Sequence, residues 1–294
     1  MKKEKISVAL AVFNEEKNLS ACLDSVKNWV DEIVVVDGGS SDKTVAVAEK
    51  HGAKVIETTN PPIFHINKQK AIDACKGDWI LQLDADEQVS SKLAQEIKEV
   101  LSMSDQERKE RKLSSNKHWL FERHQQILAK RDGKINQNGG VVAYFVSRKN
   151  YFLGTFLKHG GVYPDGVIRL IKKNQAYFPC RSVHEQIKIK GEVAWLESSL
   201  LHFPFPEFSN YLEKSICYSQ EKARQLFEKK ANKGKIPFRI LIDQLFLRPT
   251  IVFFWLYFRH LGFKDGFPGF VFAFFSSVQE IMALVFYFEL GKNE

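Results

Sequence analysis

Asp37, Asp84 and Asp86 are the residues of this chain whose type and spacing point first to chemistry. Asp37 closes the apolar run Ile33-Val34-Val35-Val36, and the other two stand in L-D-A-D-E after Trp79 to Leu83. Two acids two residues apart on extended backbone point the same way, and Glu87 follows closely. Carboxylates gathered in this way repel one another unless a cation neutralises them. Oxygen ligation suits Mg²⁺ or Mn²⁺, with phosphate oxygens and water completing the shell. Taken alone, D-x-D is common, and the same residues read as a strand end feeding a capped helix.

The elements that position these acids alternate. Ile6 to Phe13 reads as a strand, and Leu19, Cys22, Leu23, Val26 and Val30 recur at helical spacing. Ile33 to Asp37 is a second strand, broken by G-G-S-S, with Asp42 placed to cap a helix that carries Val45 and Ala48. Ala53 to Glu57, a helix over Ile66 to Cys75, and Trp79 to Leu83 repeat the pattern, and Leu93 to Leu101 adds another helix. Strands apolar on both faces, alternating with helices, predict an α/β fold with a largely parallel sheet covered by helices. In such a sheet ligands bind at the carboxyl ends of the strands, where all three acids fall. The charged stretch M-S-D-Q-E-R-K-E-R-K-L-S-S-N-K-H, Met103 to His118, reads as a solvated helix face or mobile connector and is assigned no chemistry. Val141 to Phe203 is β-rich with Gly and Pro, which suggests strands that extend the sheet and wall a cleft, and the tail from Tyr211 reads as helices.

A chain of 294 residues suffices for a well-buried cleft. Cys22, Cys75, Cys180 and Cys217 show no C-x-x-C spacing and read as reduced core thiols of a cytosolic protein. The start, M-K-K-E-K-I-S-V-A-L, breaks too soon for a secretory signal and reads as the first strand. The net charge is +8, yet 13 of the 24 Phe lie between Ile236 and Leu290, interleaved with Leu, Ile and Val and not with Lys and Arg. That distribution argues for lipid or a core, and against nucleic acid.

Three segments in order, A-V-F-N-E-E-K-N-L, V-V-V-D-G-G-S-S-D-K-T and G-D-W-I-L-Q-L-D-A-D-E, closely resemble the successive motifs of family-2 glycosyltransferases. The resemblance is strong over about the first hundred residues. It implies a GT-A type fold: a Rossmann-like, mostly parallel sheet with helices on both faces, here with a C-terminal aromatic-rich helical extension. It also implies a UDP-sugar donor, held by Phe13 and Glu15 of the first loop, Asp37 at the uracil or ribose end, and Lys68 near the diphosphate. Asp84 and Asp86 would form the metal pair, with Asp84 also touching the donor. N-Y-F-L-G, K-H-G-G-V-Y-P-D-G-V-I-R-L, R-S-V-H-E-Q-I and L-L-H-F-P are similar to bacterial enzymes of lipopolysaccharide inner-core assembly, including a β-1,4-glucosyltransferase. The implied layout is a catalytic domain over 1–205, with donor half 1–103, connector 104–140 and acceptor half 141–205, followed by a helical region over 206–294.

Inversion needs a base for the acceptor hydroxyl, and metal-bound acids are poor bases. Glu185 in V-H-E is the choice, Asp165 in Y-P-D the runner-up, and an ion pair of Glu185 with Arg181 or Arg169 the structural alternative. His184 stands as a neighbour of the base, a substrate contact or a structural residue; His202 stands as a metal or phosphate ligand beside a structural role. In the tail, Thr250 to Phe263 is short for a membrane span and Phe267 to Leu290 carries Glu280 near its middle. Interfacial helices at the inner face of the cytoplasmic membrane fit better, helped by basic residues from Lys222 to Lys235; a packed helical subdomain or a homo-oligomer contact is the alternative. The whole reads as an inverting transferase moving glucose from UDP-glucose to a lipid-linked saccharide. A sugar-nucleotide pyrophosphorylase lacks support because the first loop is F-N-E-E, without the usual Gly and basic residues, and a non-catalytic sugar-nucleotide-binding scaffold is the rival outside enzymes.

Overall fold

The computed structural model describes residues 4–113, 118–132, 140–182, 185–229 and 241–292. The first half alternates as expected: β1 (Ile6–Val12), α1 (Glu16–Asp24), β2 (Glu32–Asp37), α2 (Thr44–Lys50), β3 (Lys54–Glu57), α3 (His65–Ala74), β4 (Trp79–Leu83), β5 (Glu87–Val89) and α4 (Ser91–Ser102). α5 (Asp105–Glu110) and α6 (His118–Asp132) follow, then β6 (Val141–Phe152), β7 (Thr155–Phe156), β8 (Asp165–Lys172), β9 (Ala176–Tyr177), β10 (Lys188–Ile189) and β11 (Glu192–His202). The C-terminal part holds α7 (Phe208–Lys229), α8 (Arg248–Phe254) and α9 (Gly266–Lys292).

The main sheet runs β3-β2-β1-β4-β8-β6-β11-β5. β3, β2, β1 and β4 pair in parallel, whereas β4/β8, β8/β6 and β11/β5 are antiparallel. The sheet is therefore mixed, with its parallel character confined to the donor half. Alternation along the strands feeds two cores. On one face Val8, Leu10, Val35, Trp79 and Leu81 meet Leu19 and Cys22 of α1 and Leu93 and Ile97 of α4. On the other, Ala9, Val34, Val36 and Ile80 meet Ala71, Ile72 and Cys75 at α3. Burial on both faces is what a parallel sheet under helices requires. Gly77 tightens the entry to β4: its N–H donates to Ser7 Oγ at 2.8 Å, and a Cβ there would lie 2.7 Å from Ser7 N. Gly77→Ala should therefore cost about 1–3 kcal/mol through overpacking, read as a lower midpoint in urea unfolding.

Two expectations are corrected. The connector is not a purely solvated run: Arg108 is buried, with its guanidinium 5.2 Å from the Trp79 ring centroid. It pairs with Glu4 and Asp105 and donates to the carbonyls of Val100 and Leu101. A long aliphatic stem ending in a fully bonded guanidinium lets a residue of charged sequence enter a core. The cysteines also divide: Cys22 and Cys75 are buried, Cys180 is half-buried and Cys217 is exposed.

The chain forms two compact units, one of residues 1–148 and 165–202, the other of residues 149–164 and 203–294. The segment 149–164 thus goes with the C-terminal helices. In this second unit Phe152 packs with Tyr211 and Phe272, and α9 lies along α7. Between α7 and α9 runs a polar seam in which Gln279 donates to Ser215 Oγ at 2.8 Å and Lys222 pairs with Glu280 at 2.5 Å. Most of α9 falls in one helical stretch, Gly262–Gly291, that is long and apolar enough to cross a membrane by length and composition.

Candidate functional site

The carboxyl ends of β1 and β2 are laced into one platform. Asn14 takes φ 55° and accepts from Ser41 N through Oδ1 at 2.9 Å, while its own N–H donates to Ser40 Oγ at 2.8 Å. Glu15 N donates to Thr44 Oγ1 at 2.8 Å and Lys43 N to Glu16 at 3.0 Å. Asp37 is buried, and Oδ2 accepts from Gly39 N and Ser40 N, both at 2.8 Å, with Oδ1 taking the Ser40 hydroxyl at 2.5 Å. Its charge shapes the G-G-S-S turn, which Gly39 enters at φ 83°, a region a side chain would strain. Phe13 stays 44% exposed at the end of β1 and offers a flat apolar surface. The Glu15 carboxylate accepts from Asn18 Nδ2 at 2.8 Å.

Asp84 and Asp86 do not sit on extended backbone. Glu87 N donates to Asp84 O at 3.0 Å, which closes a turn, and the two carboxylates meet different partners. Asp84 contacts Lys68 Nζ at 2.5 Å and Arg169 Nη2 at 2.6 Å. Asp86 Oδ2 faces His202 Nε2 at 3.3 Å. The register His202↔Glu87 between β11 and β5 brings that imidazole across from the turn. Glu87 is fully buried; Oε1 takes Arg169 Nη2 at 2.6 Å and Oε2 accepts from Asp84 N at 3.0 Å. Burial works to raise the Asp84 pKa, but the charges of Arg169 and Lys68 outweigh it and hold the carboxyl well below its ordinary range. Burial likewise opposes the charge on Arg169, and Asp84 and Glu87 overcome it, so the guanidinium stays ionised.

α3 organises the other wall. His65 and Gln69, one turn apart around Lys68, both reach the segment 178–182 after β9: His65 Nδ1 lies 3.3 Å from Ser182 O, and Gln69 Oε1 accepts from Phe178 N at 2.7 Å. The His65 ring stacks on Phe178 at 4.7 Å. Burial, then the charge of Lys68, lowers the His65 pKa, which favours the neutral ring. Glu185 is half-buried, and both of its oxygens accept from Arg181 N, at 3.0 and 3.1 Å. Among the described residues Arg169 goes to Asp84 and Glu87, not to Glu185. His184 lies outside the described residues. Asp165, opposite Arg148 in the β6/β8 register, takes Arg148 Nε at 2.9 Å and Nη2 at 2.5 Å on one oxygen.

Lys68, Asp84, Asp86 and His202 thus gather around the β4–β5 turn, while Glu185 and Asp165 sit on the loop and strand beyond. Sequence reasoning gave no site role to Arg148 and Arg169. The available signal was a charge at the centre of V-I-R-L-I, an apolar strand where an unpaired arginine would be costly.

Among the described residues no group of three or more His, Cys, Asp or Glu is placed to hold a metal ion. The Asp86 carboxylate, with the His202 imidazole 3.3 Å away, is nevertheless an oxygen donor of the kind Mg²⁺ or Mn²⁺ accepts, since Mg²⁺ usually binds through one or two carboxylates and fills its shell with phosphate oxygens and water.

The family model described as glycosyl transferase family 2 matches residues 7–156, a span that contains every strand-end acid above. An uncharacterised glycosyltransferase of Rickettsia felis is 28% identical over 269 residues, covering 91% of this chain and 84% of its own length. The lipopolysaccharide core biosynthesis glycosyltransferase LpsC of Rhizobium meliloti is 28% identical over 276 residues, 90% of this chain and 85% of its own. A crystal structure of glucosyl-3-phosphoglycerate synthase from Mycobacterium tuberculosis is 29% identical over 29% of this chain and 34% of that one, with a TM-score of 0.27. That last likeness is too local to bear on donor or metal.

Proposed function

This chain belongs to glycosyl transferase family 2, and from that premise we propose that it moves glucose from UDP-glucose, with inversion, onto a lipid-linked saccharide of the lipopolysaccharide inner-core kind. It works as a peripheral enzyme at the inner face of the cytoplasmic membrane. The observation that carries the reading is the single edge at which β1, β2 and β4 end. There an exposed Phe13, the Asp37 turn, the Lys68–Asp84 pair and the Asp86–His202 pair follow one another. The similarity to LpsC along most of both chains supports the acceptor class.

Phe13 and the G-G-S-S turn receive the uridine, and Lys68 approaches the diphosphate, trading part of its contact with Asp84 for phosphate oxygens. Asp86 and His202 would hold the divalent cation, which when bound supplies positive charge to the departing diphosphate. The acceptor oxygen attacks the anomeric carbon as the bond from that carbon to the diphosphate oxygen breaks. Glu185 takes the hydroxyl proton. Its two oxygens already accept from Arg181 N, which fixes the carboxylate and leaves lone pairs for the acceptor. Asp165 is the runner-up because one of its oxygens is engaged twice by Arg148.

A panel of nucleotide sugars, scored for nucleoside diphosphate release with Mg²⁺ or Mn²⁺ and with or without a heptose-containing lipid acceptor, tests this. UDP-glucose with metal and acceptor should turn over fastest. Preference for another donor overturns the sugar assignment, and release indifferent to metal overturns the cation. Glu185→Gln should keep donor affinity and lower turnover by roughly 10² or more, the usual scale for a lost general base. If Asp165→Asn shows that pattern and Glu185→Gln does not, the two roles exchange.

A further inference from the structure

Among the described residues of the second unit, several large apolar side chains stand exposed. Leu247, Ile251, Phe254 and Phe258 are each 50% or more exposed and recur at helical spacing. On α9, Phe267, Phe270 and Phe274 make a second exposed stripe, with Phe267 72% exposed. Large apolar side chains left exposed at helical spacing are the kind of surface that docks.

What docks is argued from the charges beside it. The turn between the two aromatic stretches, Arg259 to Gly266, is zipped to the strap Lys158 to Gly161. Asp265 accepts from Lys158 N at 2.9 Å, His159 N at 2.8 Å and the His159 ring at 2.8 Å, and Gly160 N donates to His260 O at 2.8 Å. The approach is close because there are no side chains to prevent it: a Cβ on Gly262 would sit 2.8 Å from Leu256 O and 3.5 Å from Gly160 Cα. This zipper consumes the one acid of the turn and leaves Lys158, Arg259 and Lys264 exposed. Exposed aromatics beside cations that, among the described residues, pair with no acid are complementary to an anionic bilayer, whose acyl boundary takes rings and whose headgroups take ammonium and guanidinium groups. The polar seam of α9 against α7, with Glu280 on Lys222, suits a helix packed on protein along one side and lying at the interface on the other.

We propose that this face, the two aromatic stripes with Lys158, Arg259 and Lys264, docks onto an anionic lipid surface, a partner that deepens the peripheral-membrane part of the reading above and stands independently of the donor chemistry. The test is co-sedimentation of the purified full chain with vesicles of phosphatidylglycerol and phosphatidylethanolamine against vesicles of phosphatidylcholine, alongside metal-dependent donor hydrolysis in solution. Wild type should prefer the anionic vesicles. The Lys158→Gln/Arg259→Gln/Lys264→Gln variant should lose about fivefold in partitioning per charge, about a hundredfold in all, and Phe254→Ser/Phe258→Ser should weaken binding to both vesicle types. Donor hydrolysis should be unchanged in both variants, which also reports that they fold. Equal binding to both vesicle types by wild type overturns the proposal. So does an aromatic variant that dissociates an oligomer without loss of vesicle binding, because the face would then meet a second copy. Retention of the protein on vesicles through alkaline carbonate overturns it as well, because α9 would then span.

Discussion

Asp86→Ala should abolish sugar transfer, with turnover lower by about 10³ or more at saturating Mn²⁺, while the melting temperature stays within a few degrees of wild type. The rate loss follows from losing the charged member of the only described Asp–His pair at the turn. A cation's stabilisation of departing phosphate oxygens is worth several kcal/mol, and each 1.4 kcal/mol is about a factor of ten in rate. The fold should survive because the Asp86 side chain is partly exposed and stands on a turn closed by backbone, the Glu87 N to Asp84 O hydrogen bond. His202→Ala removes the proposed imidazole ligand and should cost less, about 10–100-fold, with a weaker apparent affinity for Mn²⁺ as its signature. Near-normal turnover of Asp86→Ala at saturating Mn²⁺ would sink the assignment. Calorimetric titration of Mn²⁺ into both variants with UDP present separates a lost ion from a misplaced donor.

The order of elements was legible in the first hundred residues because local signals there agree: runs buried on both faces, Gly at turns, and an amphipathic helix after each strand. β4 matches the apolar run Trp79 to Leu83 residue for residue, and α1 departs only in stopping at Asp24, where Ser25 Oγ turns back onto Cys22 O. What the sequence could not convey is pairing across long separations. D-x-D spacing suggests two carboxylates side by side, yet an i to i+3 hydrogen bond turns the segment, and partners more than 80 residues away decide where each acid faces. The antiparallel half of the sheet was hidden for the same reason: β8 inserts between β4 and β6, and no local pattern announces a crossover. The identity of the enzyme class survived these misses because it rested on strand-end acids in order, and the family match spans the same residues.

Arg169→Met should destabilise the first unit by about 3–5 kcal/mol, the usual cost of removing one partner from a buried ion pair. Arg169 is buried, and one Nη2 bridges Asp84 and Glu87 at 2.6 Å each, with Nη1 on Gln82. Methionine has similar length and no charge, so the volume is kept while a fully buried Glu87 loses its close cation. Arg148, 3.4 Å from Glu87, is too distant and too engaged with Asp165 to substitute fully. Lys68 would still hold Asp84, so the loss falls mainly on Glu87. Arg169→Lys should recover only part of the stability, because an ammonium supplies the charge but not the planar fork that reaches Gln82, Asp84 and Glu87 together. Urea unfolding with tryptophan fluorescence reads the change, and Trp79, packed in the same core, makes a suitable probe. If Arg169→Met instead melts like wild type and fails to bind UDP-glucose, Arg169 is a donor contact, and the Asp84–Glu87 bridge is only its resting place between turnovers.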